Sequence, residues 1–384
     1  MGASLARMKK ALGVGFGVLA VLSLEGTSLA ADYGAKGTEA ATTSTLPAGT
    51  GGATGGKVVV PSGAGPWPIL VASHGFSASA DNQIGWAQHF ASWGFAVAVP
   101  TFPSPFAPDA ETNSNVIRDL VAYMTTTYGA KVDGKRVGIE GHSAGGLATT
   151  LAIAKVSPQA VVLFDPVDKA GAGKAAYATA CAPTLALFAD GSSCNVNAEW
   201  EGFRGQTKGD LVAAHVVGST HCDGENADRG IACSIACSGG ADAARQAVYA
   251  RYATAFFRAR LHADAEAQKL FATAALSADT ALSSPLVQTG TCTPVNPGSD
   301  AGADSGSKPS SSSSSSGATS SSGATSSSSG ATSSSGDPAS AGSSGGDGSS
   351  GCGCATTRPS PGGLVVGLGA IAATAVLLRR RRGR

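Results

Sequence analysis

Between Pro68 and Leu261 short apolar runs alternate with stretches of helical spacing, and this alternation limits the chain more than any motif in it. The runs "PILVAS", "FAVAVP", "RVGIEG", "AVVLF", "PTLALFA" and "LVAAHVV" have no regular polar alternation. Such runs belong to strands buried on both faces, as in a parallel sheet. The intervening segments have helix periodicity. In "NVIRDLVAYMTTTYG", Val116, Leu120, Val121 and Met124 share one face, and Gly129 ends the helix. Strands alternating with helices predict an α/β fold, a mostly parallel central sheet flanked by helices. In such folds chemistry gathers at the carboxyl ends of the strands. His74, Ser143, Asp165, Asp190 and His221 all fall at or just after predicted strand ends.

The rest of the chain divides by composition. Arg7, Lys9 and Lys10 precede an apolar run from Ala11 to Leu24, and Ser28-Leu29-Ala30 follows. This is the pattern of a signal peptide over 1–30, with an uncleaved anchor as the alternative. Residues 31–54 read as a separate N-terminal segment and 55–292 as the single α/β domain. The stretch 293–351 is a Ser/Gly-rich linker with Gly-Ala-Thr recurring at 317, 323 and 330. It has no apolar periodicity to offset the entropy of ordering. Residues 352–384 carry Cys352 and Cys354, an apolar run over 363–378 and the block Arg379–Arg382. A short transmembrane helix with a cytoplasmic basic end is expected, which leaves the domain outside the cytoplasm, secreted or at the cell surface. This tail resembles myxobacterial C-terminal sorting signals, which implies envelope attachment and a sorting protease.

Net charge is +1, with basic residues concentrated at the two ends. No basic patch points to nucleic acid. Cys181, Cys194, Cys222, Cys233, Cys237 and Cys292 make an even set in an exported domain. Disulfides are expected, in any of fifteen pairings.

"EGHSAGG" places Ser143 between a strand and a helix, with Gly141 and His142 before it and Gly145 two positions after. Small residues let the chain turn sharply there and present the serine oxygen. A serine needs a base. Of six histidines, His221 alone lies in a loop after a strand and downstream of the acids. The order Ser, Asp, His makes Ser143, Asp190 and His221 the expected catalytic set, with Asp165 the alternative acid and Asp168 a solvated loop residue. Backbone N–H groups of Ala144 and of Phe76, or Ser77, are expected to form an oxyanion hole. The chemistry calls for no cofactor and no metal. Asp223, Glu225 and Asp228 read as a cysteine-stapled hydrophilic loop, with calcium binding as the alternative.

"HGFSASADNQIGWAQHFASWGFAVAVPTF", "VGIEGHSAGG" and "LFDPVD" together resemble the chlorophyllase and cutinase-like branches of the α/β-hydrolase superfamily. The Ser143–Asp190 and Asp190–His221 separations resemble those of bacterial polyester hydrolases. "FDPVD" resembles the chlorophyllase segment, which implies Asp165 as the acid. Those polyester hydrolases carry a tryptophan near this segment, where Phe164 and Pro166 stand here. The stretch from Asp165 to Pro183 is too short for a large lid, and a monomer is expected. The resemblance implies a carboxylic ester hydrolase (esterase, lipase or cutinase-like) acting on small-molecule or polymeric esters through an acyl-enzyme. An acyltransferase or peptidase, or a non-catalytic surface module on the same fold, are the alternatives.

Overall fold

The computed structural model describes residues 31–225, 230–237 and 239–292. The expected signal peptide, linker, Cys352/Cys354 motif and apolar C-terminal run lie outside them. Among the described residues no helix is long and apolar enough to cross a membrane.

Nine strands form one sheet: β1 (Ala41–Leu46), β2 (Gly56–Pro61), β3 (Trp67–Ser73), β4 (Ala96–Pro100), β5 (Val132–His142), β6 (Ala160–Phe164), β7 (Thr184–Phe188), β8 (Leu211–Val216) and β9 (Leu282–Gln288). Their order is β1-β2-β4-β3-β5-β6-β7-β8-β9. The six from β3 to β8 are mutually parallel where they pair. The pairings β1–β2, β2–β4 and β8–β9 are antiparallel. The six strands expected from apolar runs are thus the parallel ones. Residues 31–54, set apart by sequence, instead supply the edge strand β1.

Period-two alternation gives each strand two apolar faces, because successive side chains point to opposite sides. Leu70, Val97, Val162, Leu187 and Val212 pack on one side with Trp86 and Phe90 of α1 (Ile84–Ser92). The same layer takes Tyr249, Phe256 and Phe257 of α6 (Ala243–Leu261). Ile69, Val71, Ile139, Val161 and Ala186 face the other way. They meet Ile117, Leu120 and Met124 of α2 (Ala110–Tyr128) and Ala148 and Ala152 of α3 (Ala144–Val156). Each fully buried large side chain contributes about 1.5–3 kcal/mol, so two such layers favour folding strongly. The two longest described helices start where side chains take up free N–H groups: Asp109 caps α2 and Asp242 caps α6. Two short helices, α4 (Ala172–Tyr177) and α5 (Gly230–Cys237), decorate the loops after β6 and β8. α7 (Ala265–Lys269) and α8 (Thr273–Ala278) lead into β9.

Three disulfides pair Cys181 with Cys292, Cys194 with Cys237 and Cys222 with Cys233. From β3 the chain moves outward to β4 and then returns to lay β5 on the other side of β3. The loops leaving β3 and β5 therefore diverge at a topological switch point, which opens a crevice at their carboxyl ends.

Candidate active site

Ser143 stands at that crevice, between the end of β5 and the first turn of α3. Its backbone is held at φ 55°, ψ −123°, a left-handed conformation that a non-glycine residue adopts only at a cost of about 1–3 kcal/mol. Two glycines make the turn possible. A Cβ on Gly141 would lie 2.5 Å from the Gly145 carbonyl oxygen, and one on Gly145 would lie 2.5 Å from the His74 carbonyl oxygen. The Ser143 N–H donates to the Phe164 carbonyl (3.1 Å), and the Val167 N–H donates to the Ser143 carbonyl (3.2 Å). The turn is thereby tied to the end of β6.

His221 opens a one-turn 3-10 helix, His221–Gly224. This turn is anchored from several directions. The buried Asp223 carboxylate accepts from the Thr220 N–H (2.7 Å), the Asp242 N–H (2.7 Å) and Arg245 Nε (2.6 Å). Trp86 Nε1 donates to the Gly224 carbonyl (2.9 Å). His142 Nε2 donates to the His221 carbonyl (2.8 Å). Burial, and then the neighbouring His221, hold the His142 pKa well below the ordinary histidine value, so His142 is a neutral donor at pH 7. The Glu225 carboxylate accepts from Asn82 Nδ2 (3.1 Å), and Asp228 lies outside the described residues.

The His221 imidazole joins two partners. Nε2 lies 2.8 Å from Ser143 Oγ, and Nδ1 lies 2.6 Å from Asp165 Oδ2. Asp165 follows β6 and is 1 % exposed. Its carboxylate also accepts from the Ala189 N–H (3.1 Å, on Oδ1) and from Asn195 Nδ2 (3.0 Å, on Oδ2). Three donors offset the desolvation of a buried carboxylate. The Tyr249 hydroxyl is pushed well above its ordinary pKa, first by burial and then by the Asp165 charge. It stays protonated on Ser219 Oγ (3.1 Å).

Asp190, the acid favoured from the sequence, does not reach His221. Its Oδ1 bonds His215 Nε2 at 2.8 Å, at the exposed side of the sheet. The cause is local register: His215 pairs with Phe188 across β7 and β8, two residues before Asp190, and so captures its carboxylate. Asp168 is not solvated either. Its carboxylate accepts from the Lys169, Gly173 and Lys174 N–H groups and starts α4.

The turn after β3 lies against the serine. A Cβ on Gly75 would lie 3.0 Å from Ser143 Cβ and 3.5 Å from Ser143 Oγ, so Phe76, the next residue, borders the site and is half exposed. Ala144 is the first residue of α3, whose N-terminus points toward this crevice. Ser77 is turned aside, its N–H donating to the Pro105 carbonyl (2.9 Å). His74 is structural. It accepts the Phe102 N–H on Nε2 (2.9 Å) and donates from Nδ1 to the Gly75 carbonyl (2.8 Å). Burial lowers its pKa to about 4. The segment between Asp165 and Pro183 holds only the short α4. Asn195 escaped sequence reasoning. It sits in an irregular loop, and nothing in "SSCNVNAEW" distinguishes it from its neighbours.

A serine hydroxyl, an imidazole and a buried carboxylate in one hydrogen-bonded line can pass a proton from oxygen to nitrogen and stabilise the resulting charge. With the sheet order, the switch-point crevice and the strand–serine–helix turn, the chain is an α/β-hydrolase by fold. Residues 35–191 match the chlorophyllase family, one family of that superfamily. The matched stretch runs from before β1 to just past β7 and includes Ser143 and Asp165; His221 lies beyond it. No curated protein matches the chain.

Proposed function

We propose that the protein is a serine-dependent carboxylic ester hydrolase that acts outside the cytoplasm. The observation that carries this reading is the line Asp165–His221–Ser143, at 2.6 and 2.8 Å. Ser143 Oγ attacks the ester carbonyl while His221 Nε2 takes its proton. Asp165 holds the imidazole with Nδ1 protonated and balances the imidazolium charge. The N–H groups of Phe76 and Ala144 receive the oxyanion. His221 then protonates the leaving alcohol. Water, deprotonated by the same imidazole, cleaves the acyl-enzyme. The chlorophyllase-family match supports an ester as the bond attacked, and the three disulfides are compatible with an exported protein.

The test is hydrolysis of p-nitrophenyl esters of short and long acyl chains by the purified protein, beside Ser143→Ala. Turnover by the wild type and none by the variant is the expected result. A folded wild type inert on every ester overturns the reading.

A further inference from the structure

Asn195 is 1 % exposed and uses all of its hydrogen-bonding capacity. Its Oδ1 accepts the Ser192 N–H (2.7 Å) and the Ala198 N–H (3.1 Å). Its Nδ2 donates to the Asp190 carbonyl (2.9 Å) and to Asp165 Oδ2 (3.0 Å). Two main-chain donors on one side, with a carbonyl and a carboxylate on the other, fix the amide orientation without ambiguity.

The loop around it is built at a cost. Val196, Asn197 and Ala198 lie consecutively at φ 53°, 56° and 61°. Left-handed non-glycine residues persist only where their surroundings enforce them. Here the Asn195 side chain closes the loop from inside, and the Cys194–Cys237 disulfide ties it to α5 from outside. An ordinary surface turn needs neither.

We propose that Asn195 is a positioning residue for the reaction put forward above: its amide fixes the plane of the Asp165 carboxylate so that Oδ2 faces His221 Nδ1. Without that donor the only group besides His221 itself that holds the carboxylate is the Ala189 N–H on Oδ1, about which it can swing. The histidine then loses its fixed tautomer and orientation for part of the time.

Asn195→Asp keeps the accepting half of the side chain and removes the donating half. A carboxylate still accepts from Ser192 and Ala198, so the loop keeps those bonds, but it donates nothing to Asp165 or to the Asp190 carbonyl and sets a second anion beside Asp165. Ser192→Ala is the counterpart. It removes the hydroxyl that accepts the Cys194 N–H (3.2 Å) and donates a long bond to Asn195 Oδ1 (3.4 Å), so it loosens the loop but leaves the Asn195 Nδ2 bond to Asp165 in place. For Asn195→Asp, kcat falls about 10-fold, the equivalent of one hydrogen bond of about 1.4 kcal/mol in the transition state. KM stays within about 2-fold. The acid limb of kcat/KM moves to higher pH, because the added carboxylate favours the imidazolium. Ser192→Ala keeps the wild-type pH profile at whatever cost in Tm.

The low-field proton resonance of the His221–Asp165 hydrogen bond gives a readout that needs no turnover. It shifts in Asn195→Asp and not in Ser192→Ala. If Asn195→Asp folds poorly, Asn195→Ala serves, and its kcat must fall further than that of a Ser192→Ala protein matched for Tm loss. An Asn195→Asp protein with wild-type kcat, pH profile and resonance overturns the proposal, as does a kcat loss that only follows Tm in both loop variants. A wild type inert on esters whose resonance still responds to Asn195→Asp refutes the ester reading and leaves the positioning role standing.

Discussion

His215 and Asp190 hold each other at 2.8 Å on the open side of the sheet, one strand end away from the pair His221 and Asp165, which meet at 2.6 Å in its interior. The two pairs look alike in sequence, and only the buried one is joined to a serine. Asp165→Asn is therefore expected to lower kcat by about 10⁴-fold, since an amide there favours the wrong imidazole tautomer. Asp190→Asn is expected to change kcat by less than about 3-fold, as for an exposed pair. Steady-state kinetics on one ester separates the two. Equal losses contradict the assignment of Asp165.

Gly145 tests the turn. Any Cβ there meets the main chain of Ser73 and His74, and main chain has little room to give. Gly145→Ala is expected to cost about 3 kcal/mol or more, as overpacking against backbone does, and to abolish labelling of Ser143 by a phosphonate. Denaturant titration and mass spectrometry of the labelled protein measure both. A stable variant that still labels shows that the turn has another geometry.

The pH dependence of stability follows from buried groups held uncharged. Burial lowers His74 and His262 from 6.5 to about 4. The unfolded chain takes up protons first, so their contribution is whole above pH 6.5 and drains away as pH falls toward 4. Glu140 works in the opposite sense. Burial drives its carboxyl well above the ordinary 4.5, against a smaller pull from the Ser73 main chain. The protonated form is stable in the fold, and the contribution it makes below pH 4.5 is lost as pH rises and the unfolded chain ionises. The Tm difference between Glu140→Gln and wild type should therefore widen in the variant's favour from pH 5 to pH 8. A constant difference across that range contradicts a buried, protonated Glu140.

The Cys222–Cys233 disulfide begins one residue after His221. It closes a loop of sequence separation 11, worth about 3 kcal/mol in the chain-entropy account. The double variant Cys222→Ser/Cys233→Ser is expected to lose activity at temperatures well below its unfolding transition, because the sheet and the serine turn do not depend on this bond. Parallel activity and circular dichroism melts check this. Coincident losses show that the bond supports the whole fold.

Much of this architecture is legible in the sequence, because buried parallel strands are continuous apolar runs. Ser143 and His221 are also legible, since a strand–serine–helix turn and a histidine after the last parallel strand follow from chain order. The strands β1, β2 and β9 are harder to read. They are antiparallel, β1 and β9 lie at the edges, and polar residues such as Thr42, Ser44, Ser283 and Ser284 interrupt their pattern. Between Asp165 and Asp190 the sequence points both ways: both follow apolar strands, the spacing favours Asp190, and "FDPVD" favours Asp165. What separates them is the neighbour across the ladder: His215 on β8 claims one, and the Ala189 N–H and Asn195 hold the other.

The Cys181–Cys292 bond ties the residue just past β9 to the loop that enters β7. Tension on the chain beyond Cys292 thus has a covalent path to the loop that enters β7, the third strand from this edge. It does not fall on β9 alone, whose ladder with β8 would otherwise open one hydrogen bond at a time. The last strand is mechanically bypassed, and the domain can be held by its C-terminal side without being unzipped from it.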